Sequence, residues 1–336
     1  MPGPLPLTPP AFAWRLEAGG SLHTSPAVAS GTVFQSTTTG TLLAVDLGTG
    51  AIRWQAELDG VLTSPTVIDD RVVVGSTLGW LKAFDRTTGG VRWTFKSAGQ
   101  VRAAPAPFED GVIIGSTGGQ VSFVRVSDGA TAWTVDVAGE VARSAAVADG
   151  TVVLPVEPAS IVALDARSGH ELWHTSIAQH GGVGTPTIDA GRVLTASGLG
   201  GASAADRGIV AVDLESGTQL WRWASPTGDR IYTPAMRDRG AFVVSEAGFA
   251  VSLDPATGRE LWRTDVAGPA EANAVVTGDT VGIADDGGSV SALDATDGSI
   301  RWQVPIVGVP AAPVVTCGFV LVATELGTLT AFSTPS

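Results

Sequence analysis

Five side chains in this 336-residue sequence have the makings of an acid–base and anion-stabilising set: His23, Arg102, Arg143, Tyr232 and Glu271. Each stands two or three residues before a recurring landmark, a small residue followed by Pro or Ala: Pro26, Pro65, Pro105, Ala145, Pro186, Pro234, Ala274 and Pro313. Other units carry small or apolar residues at those offsets, so the polar ones stand out. As a catalytic set, Glu271 or His23 would act as general acid or base. The arginines would stabilise developing negative charge, and Tyr232 would orient or protonate. As a binding set, the same groups would hold a ligand without turning it over.

A second aligned row precedes the third strand of every unit but the fifth, which carries an insertion there: Thr38, Thr77, Thr117, Glu157, Glu246, Asp286 and Glu325. Its carboxylates form either a polarised ligand-binding rim or separately solvated loop charges. Asn273, one residue before its landmark, joins the candidate ligand-binding residues. Trp80 and Phe249 offer flat rings, for stacking a ligand or for ordinary loop packing. His180 lies in a long connector beside an insertion around residues 199–207, and the two form either a lid or tolerated surface variation. Four dispersed histidines and the lone Cys317, with no H-x-x-x-H or C-x-x-C spacing, argue against a transition-metal site. No glycine-rich phosphate loop, nucleophile elbow or catalytic triad pattern is present.

The elements that must position these residues are repeats. Ala44 to Trp54 reads A-V-D-L-G-T-G-A-I-R-W, and its skeleton A-x-D-x-x-T-G-x-x-x-W returns to close at Trp93, Trp133, Trp173, Trp221, Trp262 and Trp302. Asp can bond the amides of a turn, and the glycine supplies the positive φ a hairpin needs, so each copy reads as strand, turn, strand. From landmark to Trp the count is 28 residues in every complete unit except Pro186 to Trp221, where it is 35. Four short strands in about forty residues make a propeller blade. The last unit ends without a fourth strand, whereas Phe12-Ala13-Trp14-Arg15-Leu16 has that strand's pattern. The fold expected is therefore all-β: an eight-bladed propeller over residues 11–336, closed by the N-terminal strand, behind a proline-rich tail or linker at 1–10.

This skeleton resembles the tryptophan-docking motif of eight-bladed quinoprotein alcohol dehydrogenases. It also resembles PQQ-like repeat proteins, among them the propeller lipoprotein of the outer-membrane β-barrel assembly machinery. The resemblance implies that each Trp stacks between blades against the Ala of a neighbour's motif. The third unit departs from it, with Phe123 and Arg125 in place of Ala and Asp, which puts docking there in doubt. Family dehydrogenases hold PQQ with an adjacent cysteine pair and a calcium site of Glu, Asn and Asp. One cysteine cannot supply the pair, and Glu271 with Asn273 only echoes the calcium set, so no cofactor is expected.

A net charge of −13 disfavours sequence-independent binding of nucleic acid or an anionic membrane surface. No segment reads as a secretory signal or a membrane span. The expected location is cytoplasmic if the chain is complete, and otherwise that of an extracytoplasmic domain of a longer bacterial protein. The loops before each unit's first strand and the turns between its second and third strands should share one face, the mouth of a funnel. The function expected is binding of a small molecule, peptide or protein there by a monomer, without PQQ. The alternative is a cofactor-independent cyclase, isomerase or lyase using the same funnel.

Overall fold

The computed structural model describes residues 5–200, 203–237, 240–269, 273–316 and 318–333. Turn chemistry builds each blade from its outer edge inwards. In the first unit strand C, Thr41–Asp46, turns into strand D, Ile52–Glu57. Asp46 Oδ1 accepts from the amide and the hydroxyl of Thr49, both at 2.9 Å, and Gly50 sits at φ 75°. A bulge follows, because Ala44 faces Trp54 while Val45 faces Ile52, leaving Arg53 over. Its guanidinium turns back to Asp46 Oδ2 at 2.6 Å. The same bulge lies beside the tryptophan in the other copies of the motif.

Strands A and B, Ala27–Ala29 and Thr32–Ser36, complete an antiparallel sheet in the order A-B-C-D. Eight such sheets occur among the described residues. Successive A strands lie side by side around the centre with half-buried side chains, while B and C strands are largely buried. The core is consequently a series of layers between blades. One layer, for example, joins Leu321, Ala323 and Trp14 of the last blade to Val33, Leu43 and Val45 of the first.

Each layer is fastened the same way. The indole N–H of Trp14 donates to the Leu47 carbonyl of the next blade at 2.8 Å, Trp54 to Arg86 at 3.0 Å and Trp173 to Leu214 at 2.8 Å. Trp93, Trp133, Trp221 and Trp262 repeat the bond. The ring covers the neighbour's turn glycine so closely that a Cβ on Gly50 would lie 2.7 Å from Trp14. The motif Ala is the cross-strand partner of the Trp in its own blade.

Closure uses both ends of the chain. Ala11–Glu17 pairs antiparallel with Thr328–Ser333 and completes the eighth blade. That blade has no C–D turn to receive Trp302, and the Pro6 carbonyl takes its place at 2.7 Å. Leu5, 2% exposed, joins the adjoining core layer, and its amide donates to Thr277 Oγ1 at 2.7 Å.

The third blade keeps its bond despite the altered motif. Trp93 donates to the Val126 carbonyl at 2.7 Å, and Gly129 lies under its ring. Phe123 fits because Gly111, two residues along the paired strand from its partner Ile113, has no side chain; a Cβ there would come within 2.4 Å of the phenyl ring. Asp128 replaces the missing carboxylate, accepting from the Ala130 amide at 2.9 Å and pairing with Arg125 at 3.3 Å.

In the fifth blade the insertion lengthens strand B to Arg192–Leu199 and ends in a 3₁₀ turn, Ala204–Asp206. The connector strand Gly182–Val183 pairs with that extension, Gly182 facing Leu199 and Val183 facing Ser197. The connector and the insertion, read together from the sequence, are thus hydrogen-bonded into one sheet.

Two outcomes test this architecture. Trp173→Phe removes the interblade hydrogen bond and part of the ring, and should cost roughly 1–3 kcal/mol in denaturant melts. Trp173→Ala opens a larger cavity and should cost roughly 3–5 kcal/mol. In acid, the turn aspartates matter. Hydrogen bonds from Arg53 and Thr49 bring Asp46, and those from Arg301 bring Asp279, from 3.8 to about 2. A lowered folded value gives stability that is present above pH 4 and lost as pH falls towards 2. The melting temperature should drop across that interval, and less steeply in Asp46→Asn/Asp279→Asn.

Candidate functional site

One backbone hydrogen bond, repeated blade by blade, defines the funnel face. The B–C turn donates its amide to the loop before strand A: Thr38 to Ser21 and Thr77 to Val61 at 3.0 Å, Glu157 to Glu140 at 2.9 Å, Glu246 to Arg230 at 3.0 Å. Thr117, Asp286 and Glu325 do likewise. The two rows aligned in the sequence therefore do share a face. Side chains also lace neighbouring blades at its centre. Ser144 accepts from the Ala104 amide at 3.1 Å, and Asn273 Oδ1 from the Thr233 amide at 3.1 Å.

The structure divides the predicted set instead of gathering it. His23, exposed, lines a cavity of about 270 Å³ with Ser25, Ser64 and Asn273. Arg143 and Glu157 line a different one, of about 530 Å³, with Gly181, Gly182, Leu199 and Arg230. Arg102 is held by Gln100 at 2.8 Å and stands 3.9 Å from Glu140. Tyr232 carries the Arg230 guanidinium over its ring at 5.0 Å. Glu271 lies outside the described residues, as does Cys317.

The aromatic candidates are already engaged. Phe249 is 5% exposed, packed in the layer between blades five and six with Arg263 over its ring at 4.6 Å. Trp80 is half-buried beneath Lys96 Nζ, 4.7 Å from its ring. His180 is exposed, 3.9 Å from Asp206. Glu246 and Glu325 are exposed and Asp286 is half-buried.

Electrostatically the larger cavity is the unusual one. Arg143 Nε lies 3.9 Å from Glu157 Oε1, close enough for Coulomb attraction and too far for a hydrogen bond. Burial pushes the Glu157 carboxyl up, and nearby Glu140 adds to this while Arg143 opposes it. Burial likewise pulls Arg143 down, assisted by Arg230 and opposed by Glu157. Both shifts run against charge, so desolvation outweighs the pair. The Nε atoms of Arg143 and Arg230 are buried without a hydrogen-bond acceptor.

Glu140 and Arg230 were missed in the sequence because they stand five and four residues before their landmarks, off the aligned rows. Reading two further offsets for charge would have found both.

The architecture defines a class, the eight-bladed propellers built of PQQ-like repeats. The family described as outer membrane protein assembly factor BamB matches residues 11–133, 66–208, 119–274 and 205–335, and the chain belongs to it. Over 112 residues it is 30% identical to BamB of Moranella endobia (strain PCIT), a stretch covering 30% of this chain and 29% of that protein. The aligned region thus spans under a third of that relative's length. In fold it is similar to BamB from Moraxella catarrhalis, with a TM-score of 0.77, 21% identity and 97% of each chain covered. It is also similar to the quinohemoprotein alcohol dehydrogenase ADHIIG from Pseudomonas putida HK5, with a TM-score of 0.78, 15% identity, and 99% of this chain and 79% of that one covered.

These findings correct the cytoplasmic expectation, since the family is one of outer membrane assembly factors, a cell-envelope task. Charge and the lack of a recognisable signal say nothing of this. No helix among the described residues is long and apolar enough to cross a membrane.

The dehydrogenase likeness raises the question of PQQ. The described residues hold no group of three His, Cys, Asp or Glu side chains placed for a metal, and the Asn273 oxygen is committed to Thr233. The chain's single cysteine cannot form an adjacent pair. These donors do not fit a quinone with its calcium.

Carboxyl NMR titration checks the electrostatics. The Glu157 midpoint should lie above the ordinary 4.5. Glu140→Gln should bring it down and Arg143→Gln should raise it.

Proposed function

We propose that this propeller is a non-catalytic scaffold of outer membrane protein assembly, holding a segment of a partner protein on its funnel face. The observation that carries this reading is apolar surface on that face. Val61 and Leu78 on the second blade, and Val307 and Leu326 on the eighth, are 44%, 54%, 56% and 58% exposed. Thr77 and Glu325, next to the leucines, bond back to Val61 and Val309, so each leucine stands beside its valine's loop. Large apolar side chains held in water on turns and rimmed by polar groups mark an interaction surface. Farther round the funnel, on blades three, four and six, lies a charged arc of Arg102, Glu140, Arg143, Glu157 and Arg230. Apolar anchors in one part and charge in another suit a protein segment better than a small molecule. Family membership supports the same reading.

The catalytic alternative has less behind it. His23 and Arg143 line separate cavities, so the described members of the set do not face one reacting centre.

Photo-crosslinking in cells tests the docking face. A photoreactive residue at position 78 or 326 should capture envelope assembly proteins, and one at position 279 or 296, on the opposite face, should not. Equal capture from both faces, or none from either, would overturn the assignment.

A further inference from the structure

The funnel face contains one place where charged groups are built in but left incompletely satisfied. Arg143 and Arg230 approach the cavity of about 530 Å³ from the loops before strand A of blades four and six. Glu157 enters from the B–C turn of blade four, and the remaining wall is Pro158, Gly181, Gly182, Leu199 and Gly200, three of the five without a side chain. Both arginine Nε–H groups are buried and donate to nothing. Glu157 stands 3.9 Å from Arg143 and makes no hydrogen bond to it. The Arg230 guanidinium carbon lies over the Tyr232 ring, 5.0 Å from its centroid. A buried guanidinium donor without an acceptor is costly, and two around one cavity in a chain of net charge −13 call for an acceptor from outside.

The acceptor that suits forked, planar donors is itself planar and anionic. We propose that this cavity is a carboxylate-binding site, in which an incoming carboxylate accepts from Arg143 and Arg230 and displaces Glu157 as the internal counter-charge. The glycine-lined wall admits the group and the backbone behind it. The inference deepens the docking reading by naming the chemistry that one part of the face selects. The carboxylate comes from an acidic residue or C-terminus of the docked segment, or from a free small acid.

Glu157 gives the proposal a distinctive signature. Because it competes for Arg143 without hydrogen-bonding it, Glu157→Gln should tighten binding, whereas a merely structural acid would loosen the site when neutralised. The experiment follows the Arg143 and Arg230 Nε–Hε resonances of the full, isotopically labelled chain. The probes are sodium acetate, sodium chloride at matched ionic strength, a short peptide containing one Asp, and the same peptide with Asn.

Acetate and the Asp peptide should shift both resonances, while chloride and the Asn peptide should not. Glu157→Gln should lower the acetate Kd several-fold, and Arg230→Gln should raise it roughly tenfold or more. Arg143→Gln provides a second test should Arg230→Gln unfold. An Asp peptide binding much tighter than acetate identifies a protein segment as the source, and equal binding identifies a free acid. Equal response to chloride, or looser binding in Glu157→Gln, would overturn the proposal. Neither failure bears on the crosslinking pattern that tests docking itself.

Discussion

The ring depends on the tryptophan that each blade offers to the next. One indole performs two tasks there: its plane buries apolar area against a turn glycine, and its N–H satisfies a carbonyl left exposed by the turn. Both partners belong to the next motif, and the same residues also shape their own hairpin. Each copy therefore makes its own turn and receives its neighbour's ring. Stability is distributed over equivalent layers, as in other repeat proteins, but here the array returns to its beginning.

This coupling explains why the fold was legible and where legibility stopped. Asp46, Thr49, Gly50 and Trp54 announce a blade because a turn of this kind needs a short acceptor, positive φ and a bulge, all encoded within eleven residues. The third blade looked doubtful since Phe123 and Arg125 break the pattern. Its repair lies at Gly111 and Asp128, and Gly111 can be recognised only once strands B and C are seen to face each other.

The candidate site was less legible for a different physical reason. Loop positions can be aligned, and the repeated turn-to-loop hydrogen bond shows that the alignment was sound. Side-chain direction in those loops follows no period, however. Phe249 turns into the core, His23 and Arg143 turn into different cavities, and Arg230 reaches the second cavity from an offset that went unread. Nor does any residue pattern encode the cell envelope as the place of work, which came from kinship.

The closure of the eighth blade has a consequence for how the chain comes into being. Trp14 and Leu16 belong to a strand made before all the blades' other strands, yet their partners, Ala331 and Leu329, are made after seven blades have followed. The opening strand must wait through the making of seven blades before it can pair. Bringing ends so far apart together costs little more than a shorter loop would, since closure entropy grows only with the logarithm of length. The difficulty lies in time: an apolar strand stays unpartnered while seven blades are made, and the completed ring records the moment at which that exposure ends.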